Sequence, residues 1–379
     1  MKKNILLGIL GLSLLAAQVH AQDKLTVSPS GRILMDAGYL DSKNDDLVDG
    51  VAIPDLRVGA KASYGSYKAK LDIGYAYGKV SLKDVFVEKQ FSPSSLLRVG
   101  HFVHQFGLQS STSSSMKITM EEPASNEAFF NSRLIGAMYV HDKNDFFGTA
   151  SAFVENEAMK KSSNEMKKQG FGFMSRLVYR PFRADGAIFH VGISGAYEKP
   201  RYNSNEELNH NSFVLSANFP SRIAKVSAVE ATITDAKHLF KFTPEIAAAY
   251  GAIGLETQYY YLNVNRKSDF DSYKASGAYA TVRGLFKGGN YKYSNPDSGI
   301  ATPAPGSLEG VLSYNYTDMS DSKSDIRGGR LNDVAVGFNY YINKYMIWRV
   351  RYSYTHVTDR AGFDNQTLNS IQTRFQIIF

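Results

Sequence analysis

The sequence predicts an all-β protein, a transmembrane antiparallel β-barrel of about 16 strands, and three observations lead to this fold. Apolar and polar residues alternate with a period of two along much of the chain of 379 residues, as they do in strands with two different faces. The alternating runs last about 9 to 14 residues, which suits a tilted membrane strand better than a soluble sheet. The chain contains 24 Tyr and 23 Phe, and such rings are typical of the interfaces of a membrane barrel.

Residues 1–21 are predicted to be a cleaved signal peptide. Lys2 and Lys3 precede an apolar stretch from Ile5 to Ala17, and Val19 to Ala21 supplies residues tolerated before a cleavage site. The apolar stretch is short for a membrane-spanning helix, which needs about 20 residues. Residues 22–379 are therefore expected to form one barrel domain, carried across the inner membrane and placed in the cell outer membrane.

Four segments show the alternation most clearly, and each sets an apolar face against a face of charged residues and glycines: 56–64, 66–78, 333–342 and 346–357. Further strands are predicted at 31–40, 80–91, 95–106, 133–142, 145–156, 169–181, 186–199, 225–235, 240–250, 252–266, 271–286, 306–319 and 366–379, with 209–219 as the weakest. One or two of these segments are expected to be loops, and bacterial single-chain barrels have an even strand count. The prediction is therefore 16 strands, with 18 as the alternative.

The connections are predicted to be of two kinds. Tight turns are expected near Asp142 to Asn144 and at Asn343-Lys344, and long external loops at Glu157 to Lys168 and Tyr291 to Gly306. The long connection from Gln109 to Phe130 is rich in Ser and Thr and contains Lys117. It is expected either to constrict the lumen or to remain an external loop.

The last strand is expected to close the barrel and to carry its assembly signal. Phe379, Ile377 and Phe375 alternate with polar residues at the end of the chain. A closing strand that ends on Phe is the form that the outer-membrane assembly machinery recognises, so this machinery is a predicted partner.

Composition and motifs exclude several classes of protein. The chain has no Cys, which excludes disulfides, thiolate metal sites and a cysteine nucleophile. Its eight His are scattered, and it has none of the common hydrolase, phosphate-loop or metalloprotease motifs. The basic residues alternate with apolar ones and do not cluster as they would in a nucleic-acid-binding patch. We therefore expect no cofactor, no metal, no nucleic acid and no enzymatic activity.

Basic side chains are predicted to line an anion path. The chain has a net charge of +7, and many of its Lys and Arg fall on the polar face of a strand or in the long loop. Rings of such residues favour anions in a narrow pore. The predicted path comprises Arg57, Lys61, Lys68, Lys70, Arg98, Lys117, Arg176, Arg180, Arg283, Arg349, Arg351 and Arg374.

A second interpretation of these charges is that they only solvate the lumen and pair with carboxylates such as Asp72, Glu88, Glu256 and Asp333. Arg349, Arg351 and Arg374 fall on the last two strands. They are expected to form a ladder of guanidinium groups on one wall.

Several segments resemble the phosphate-selective porin O and P family: residues 97–102 with 105–108, the loop 110–122, the strand 173–182 and residues 254–260. This resemblance implies a homotrimer of 16-stranded barrels that takes up anions. Gln105, Gln109 and Glu122 depart from the family's usual residues, so the resemblance leaves phosphate itself open.

The expected function is therefore that of an outer-membrane porin, embedded in outer-membrane lipid, through which small hydrophilic solutes diffuse with a preference for anions. Two alternatives remain open from the sequence. One is a plugged or adhesive barrel with no conductance, and the other is a barrel enzyme with a catalytic cluster at its rim.

Overall fold

The computed structural model describes residues 24–130, 132–166, 169–200, 211–267, 269–296 and 298–379, so the predicted signal segment lies outside the described residues. The described residues form 20 strands and three α-helices. The strands are β1 (Thr26–Ser42), β2 (Gly50–Tyr64), β3 (Tyr67–Ala76), β4 (Lys79–Ser92), β5 (Ser95–Val103), β6 (Arg133–Lys143), β7 (Phe146–Val154), β8 (Phe171–Ala184), β9 (Ala187–Lys199), β10 (Phe213–Asn218), β11 (Ser227–Ile233), β12 (Ala236–Tyr250), β13 (Ile253–Arg266), β14 (Tyr273–Lys287), β15 (Tyr293–Ser294), β16 (Gly299–Ile300), β17 (Leu308–Asp321), β18 (Ile326–Tyr341), β19 (Met346–Arg360) and β20 (Gln366–Ile378). The helices are α1 (Gly107–Ser111), α2 (Ala124–Phe129) and α3 (Ser163–Met166), and Asn156–Met159 form a 3-10 turn. Among the described residues, none of the helices is both long and apolar enough to cross a membrane.

Sixteen of these strands close into one antiparallel barrel in chain order, with β20 paired to β1. The predicted fold class and the count of 16 are confirmed. The tight connections, such as those between β2 and β3 and between β6 and β7, lie at the same end of the barrel as the start of β1 and the end of β20. We call this the turn end and the opposite one the loop end. In outer-membrane barrels the short turns face the periplasm and the long loops face outward.

The two faces of each barrel strand differ as the alternation predicted. On β19, Trp348, Tyr352 and Tyr354 point outward and are 43 to 49% exposed, whereas Arg349 and Arg351 point inward and are at most 3% exposed. A soluble protein would place these residues the other way round. The closed sheet pairs the backbone N–H and C=O groups of its strands, which a membrane protein needs inside lipid.

Three connections fold back into the barrel. The inner loop, residues 104–130, follows β5 and contains α1 and α2. The lumen hairpin, residues 211–235, precedes β12 and consists of β10, β11 and their connection. The turn-end segment, residues 288–307 apart from residue 297, joins β14 to β17 and contains β15 and β16.

Two predicted wall strands, 209–219 and 225–235, are not part of the barrel. They form the lumen hairpin, whose strands of 6 and 7 residues are too short to cross a membrane, which takes about 9 to 11. Ala228, Val229 and Ile233 are fully buried in a hydrophobic cluster with Leu331 and Leu368 of the barrel wall. The apolar face of the hairpin therefore meets protein and not lipid.

The predicted external loop Tyr291 to Gly306 lies at the turn end, opposite to the expectation, and reaches into the barrel. Ser298 is fully buried. Gly299 lies so close to Leu108 of α1 that a Cβ on the glycine would be 2.7 Å from a methyl group of that leucine. The inner loop and the turn-end segment thus meet inside the barrel.

Candidate functional site

Seven of the twelve cations predicted to line a path are buried beneath the inserted segments. Each of them is at most 3% exposed: Lys117, Arg176, Arg180, Arg283, Arg349, Arg351 and Arg374. Because water scarcely reaches these side chains, they do not present free charge to a solute in this structure. That these seven residues belong to an anion path stays a prediction, and the structure covers them with protein.

Two arginines of the predicted guanidinium ladder, Arg349 and Arg374, do lie side by side on neighbouring strands, and both hydrogen-bond to the inner loop. Arg349 lies opposite Arg374 across β19 and β20. Arg374 donates to Asp36 and to Glu121 at 2.6 Å, and its Nη1 donates to the carbonyl of Met120 at 2.6 Å. Arg349 donates to the carbonyls of Ser115, at 3.2 Å, and of Lys117.

The other buried arginines hold the lumen hairpin and the turn-end segment. Arg351 pairs with Asp333 at 2.8 Å, one of the carboxylates suggested by the second interpretation, and donates to the carbonyl of Pro220 at 3.2 Å. Arg176 pairs with Glu245 at 2.6 Å and donates to the carbonyl of Ser298 at 2.9 Å, and Arg180 donates to Oγ of Ser298 at 2.9 Å. Arg283 is held between Glu256 and Glu309 at 3.0 and 2.7 Å.

Lys117 is also fixed in place. Its ammonium group donates to the carbonyl of Gln109 and lies 3.3 Å from Glu122. Burial lowers the pKa of Lys117, and the charge of Glu122 opposes that shift. The contacts of this lysine therefore link α1, which contains Gln109, to Glu122 in the later part of the inner loop.

The opposite side of the lumen, formed by β2 to β6, carries cations that water reaches. Lys61 and Lys68 are exposed, and the side chains of Lys70, Arg98 and Arg133 are 20 to 27% exposed. We call the following residues the basic wall: Arg57, Lys61, Lys68, Lys70, Lys83, Arg98 and Arg133.

Four carboxylates partly neutralise the basic wall. Asp84 is shared by Lys70 at 2.7 Å and Arg133 at 2.6 Å, and Asp72 also binds Lys70 at 2.7 Å. Asp55 is shared by Arg57, at 2.9 Å, and Arg32, and Glu88 binds Arg98 at 2.5 Å. Seven cations thus face four carboxylates, and the wall keeps an excess of positive charge.

Lys83 belongs to this wall, although sequence alternation assigns it to the lipid face with Val85 and Val87. On β3, Leu71 pairs with Val85 of β4, and Ile73 pairs with Leu82. The two β3 residues are two positions apart and their partners three, so β4 carries one extra residue there. Such a bulge turns both Lys83 and its neighbour inward. The Lys83 side chain lies against Gly74, where a Cβ on the glycine would be 2.4 Å from the lysine Cε. Two apolar residues three apart, Leu82 and Val85, are the sequence signal for this bulge.

The inner loop reaches this side of the lumen. Arg32 on β1 donates to Oγ of Ser113 at 3.1 Å and of Ser114 at 2.6 Å. The Ser-rich loop from Gln109 to Phe130 is therefore inside the barrel, and two of its hydroxyl groups contact Arg32, which shares Asp55 with Arg57 of the basic wall.

The predicted assembly residues lie on the closing strand. Phe375 and Ile377 on β20 face Met35 and Ile33 of β1. Phe379 exchanges two backbone hydrogen bonds with Gly31, at 2.8 and 3.0 Å, and its ring covers that glycine so closely that a Cβ would be 2.5 Å away.

Among the residues that the structure describes, no group of three or more His, Asp or Glu side chains could hold a metal ion.

Comparison with known proteins places the chain in a family. The sequence pattern described as phosphate-selective porin O and P matches residues 30–379, nearly the whole chain. No curated protein sequence matches it.

Solved structures with the same fold include three outer-membrane proteins. The anion-selective porin from Comamonas acidovorans is 10% identical, with a TM-score of 0.57, and the match covers 94% of this chain and 100% of that one. The outer membrane channel DcaP of Acinetobacter baumannii is 12% identical, with a TM-score of 0.56 and coverage of 94% and 97%. OmpT, an outer membrane protein of Vibrio cholerae in a trimer form, is 11% identical, with a TM-score of 0.56 and coverage of 94% and 100%.

Proposed function

The chain belongs to the phosphate-selective porin O and P family and is an outer-membrane porin for small solutes, and from this premise we propose that it passes small anions along the basic wall. One observation carries the proposal. Of the twelve cations predicted to line the path, the five that water reaches all lie on β2 to β5: Arg57, Lys61, Lys68, Lys70 and Arg98. Together with Lys83 and Arg133 they face four carboxylates.

The physical reason is electrostatic. A small anion in a narrow pore loses part of its hydration, and nearby cations offset that loss. At 4 Å and an effective dielectric constant near 20, one cation contributes about 4 kcal/mol before desolvation is subtracted. Arg57, Arg98 and Arg133 add planar donors that match the oxygens of phosphate or a carboxylate. The anion selectivity named for the Comamonas porin of the same fold agrees with this proposal.

A second candidate function is a plugged barrel that passes no solute. The three inserted segments favour it, because they fill the side of the lumen where Arg176, Arg283 and Arg374 are buried. Purified protein that inserts into planar bilayers without conductance would establish this alternative.

We further propose that the chain is no enzyme, that a signal peptide of residues 1–21 is removed, and that the barrel is assembled in outer-membrane lipid through its closing strand, ending on Phe379. A homotrimer is proposed as its oligomeric state. The trimer form described for OmpT of Vibrio cholerae supports that state.

Removing charge from the basic wall should weaken the selectivity for anions. In planar bilayers under a KCl gradient, the Lys61→Gln/Lys68→Gln variant is expected to show a lower chloride-over-potassium permeability ratio than the natural protein. The difference should shrink near 1 M salt, where screening acts within about 3 Å. The same measurement under a phosphate gradient reports whether phosphate shares the path.

The matched control removes two lysines outside the lumen, Lys267→Gln and Lys344→Gln, which are exposed in connections at opposite ends of the barrel. The control should keep the permeability ratio. Equal ratios at low salt for the wall variant and the natural protein would contradict the proposed path.

A further inference from the structure

Arg349 on β19 differs from the other buried arginines of the lumen in its partners. Each of the others pairs with at least one carboxylate: Arg176, Arg180, Arg283, Arg351 and Arg374. Arg349 is 1% exposed and donates to the backbone carbonyls of Ser115 and Lys117. Within the described part of the chain, no carboxylate lies at ion-pair distance from it. Its positive charge is therefore buried without a direct counter-ion.

Two more buried side chains beside Arg349 keep polar atoms that have no partner among the described residues. Gln376 on β20 pairs with Ile347 of β19, which makes it a diagonal neighbour of Arg349 on the inward face. Both polar atoms of its side-chain amide lack a hydrogen-bond partner, as does Nε of Arg349. Arg32 on β1 is the diagonal neighbour of Gln376 on the other side, and its Nε lacks a partner too. The three side chains are at most 6% exposed, so bulk water does not satisfy these atoms.

One stretch of the inner loop, residues 113–117, covers this part of the wall. Two of its serine hydroxyl groups accept hydrogen bonds from Arg32, at 3.1 and 2.6 Å, and two of its carbonyls accept from Arg349. Gln376 is 0% exposed and lies on the strand that separates the two arginines. The unpartnered atoms therefore belong to one enclosed patch of the wall, formed by three neighbouring strands.

The unpartnered atoms have the chemistry of an anion site. Three of the four are N–H donors, namely Nε of Arg32, Nε of Arg349 and the amide nitrogen of Gln376. The amide oxygen of Gln376 and the N–H of Arg349 are complementary but do not bond to each other, which leaves room for a third species between them. A buried cation without a partner is costly, and an anion offsets that cost where a water molecule cannot.

We propose that these three side chains bind one small monovalent anion, of the size of chloride, as a counter-ion beneath the inner loop. A single charge suffices, because Arg349 alone lacks a carboxylate. The nearby carboxylates are already engaged: Asp36 and Glu121 bind Arg374. The site lies on the side of the lumen that the inserted segments fill, apart from the basic wall, and does not depend on the proposed passage of solutes.

The first test measures the unfolding temperature in a non-ionic detergent by circular dichroism, in sodium chloride and in sodium gluconate of equal concentration. A ligand that binds only the folded state stabilises it increasingly as its concentration rises. The natural protein should therefore unfold several degrees higher in chloride than in gluconate, whose anion is much larger.

Two variants assign this effect to the site. Arg349→Gln removes the charge that needs a counter-ion, and Gln376→Leu removes the amide donor while keeping every charge. Arg349→Gln should lose the difference between the two salts and Gln376→Leu should reduce it, whatever their own stability. The matched control Arg98→Gln, which removes a cation from the basic wall, should keep the full difference.

A second measurement locates the anion directly. In crystals grown with bromide as the halide, an anomalous scattering peak is expected at hydrogen-bond distance from Nε of Arg349 and from the amide of Gln376. The natural protein unfolding at equal temperatures in the two salts would overturn the site, as would a chloride effect of full size in both Arg349→Gln and Gln376→Leu. Bromide peaks confined to the basic wall would also reject it, and would leave the proposed anion path untouched.

Discussion

Replacing Arg374 by glutamine is expected to destabilise the barrel interior more than any other single loss of charge considered above. The change removes the cation that the buried Asp36 and Glu121 share, and leaves Glu121 paired only with Arg222, at 3.0 Å. Breaking a buried ion pair from one side costs about 3 to 5 kcal/mol. The temperature at which the folded band is lost in detergent gels should fall, and the conductance should rise because the inner loop loses its anchor at Met120 and Glu121.

Arg98→Gln is the matched control, since it removes the same charge from a site that water reaches. The Arg98 side chain is 27% exposed and pairs with Glu88. Because water reaches this pair, whose side chains are 27% and 11% exposed, the unfolding temperature should fall less than in Arg374→Gln, while the anion preference falls. If both variants lost the same stability, the division of the lumen into a filled side and an open side would be wrong.

Replacing Phe379 by aspartate is expected to reduce the amount of assembled barrel several-fold. The terminal residue closes the sheet through its backbone bonds to Gly31, and its ring fills the space beside that glycine. A charged side chain loses the ring contact and is unfavourable at a position that faces outward near the end of the barrel. The fraction of folded protein in isolated outer membranes, read from unboiled gels, measures the effect.

Phe270→Asp makes the same chemical change in a loop-end connection, where Phe270 is 46% exposed. Equal assembly of the Phe379 and Phe270 variants would refute the role of the closing strand.

The barrel wall was predictable because the alternation that defines it is local. Residues 348–355 alternate strictly, and the structure places Trp348 and Tyr352 outside and Arg349 inside. The strand count followed from the same pattern once one or two of the eighteen segments were expected to be loops.

The contents of the lumen were not predictable in the same way. Residues 225–235 alternate like a wall strand, and only their partners, Leu331 and Leu368, distinguish a buried hairpin from a membrane strand. Alternation also tells which residues face the lumen but not what covers them there. Arg351 and Lys61 therefore carry the same pattern in the sequence, although one is buried and the other exposed.

The Arg374 ion pairs bear on the order in which the molecule can be completed. Arg374 comes from the last strand, Asp36 from the first, 338 positions earlier, and Glu121 from the inner loop. The inner loop thus gains this anchor only when the final strand reaches the first. A barrel arrested before its last strand pairs with the first would therefore keep an inner loop without this anchor, which proteases could recognise as incomplete.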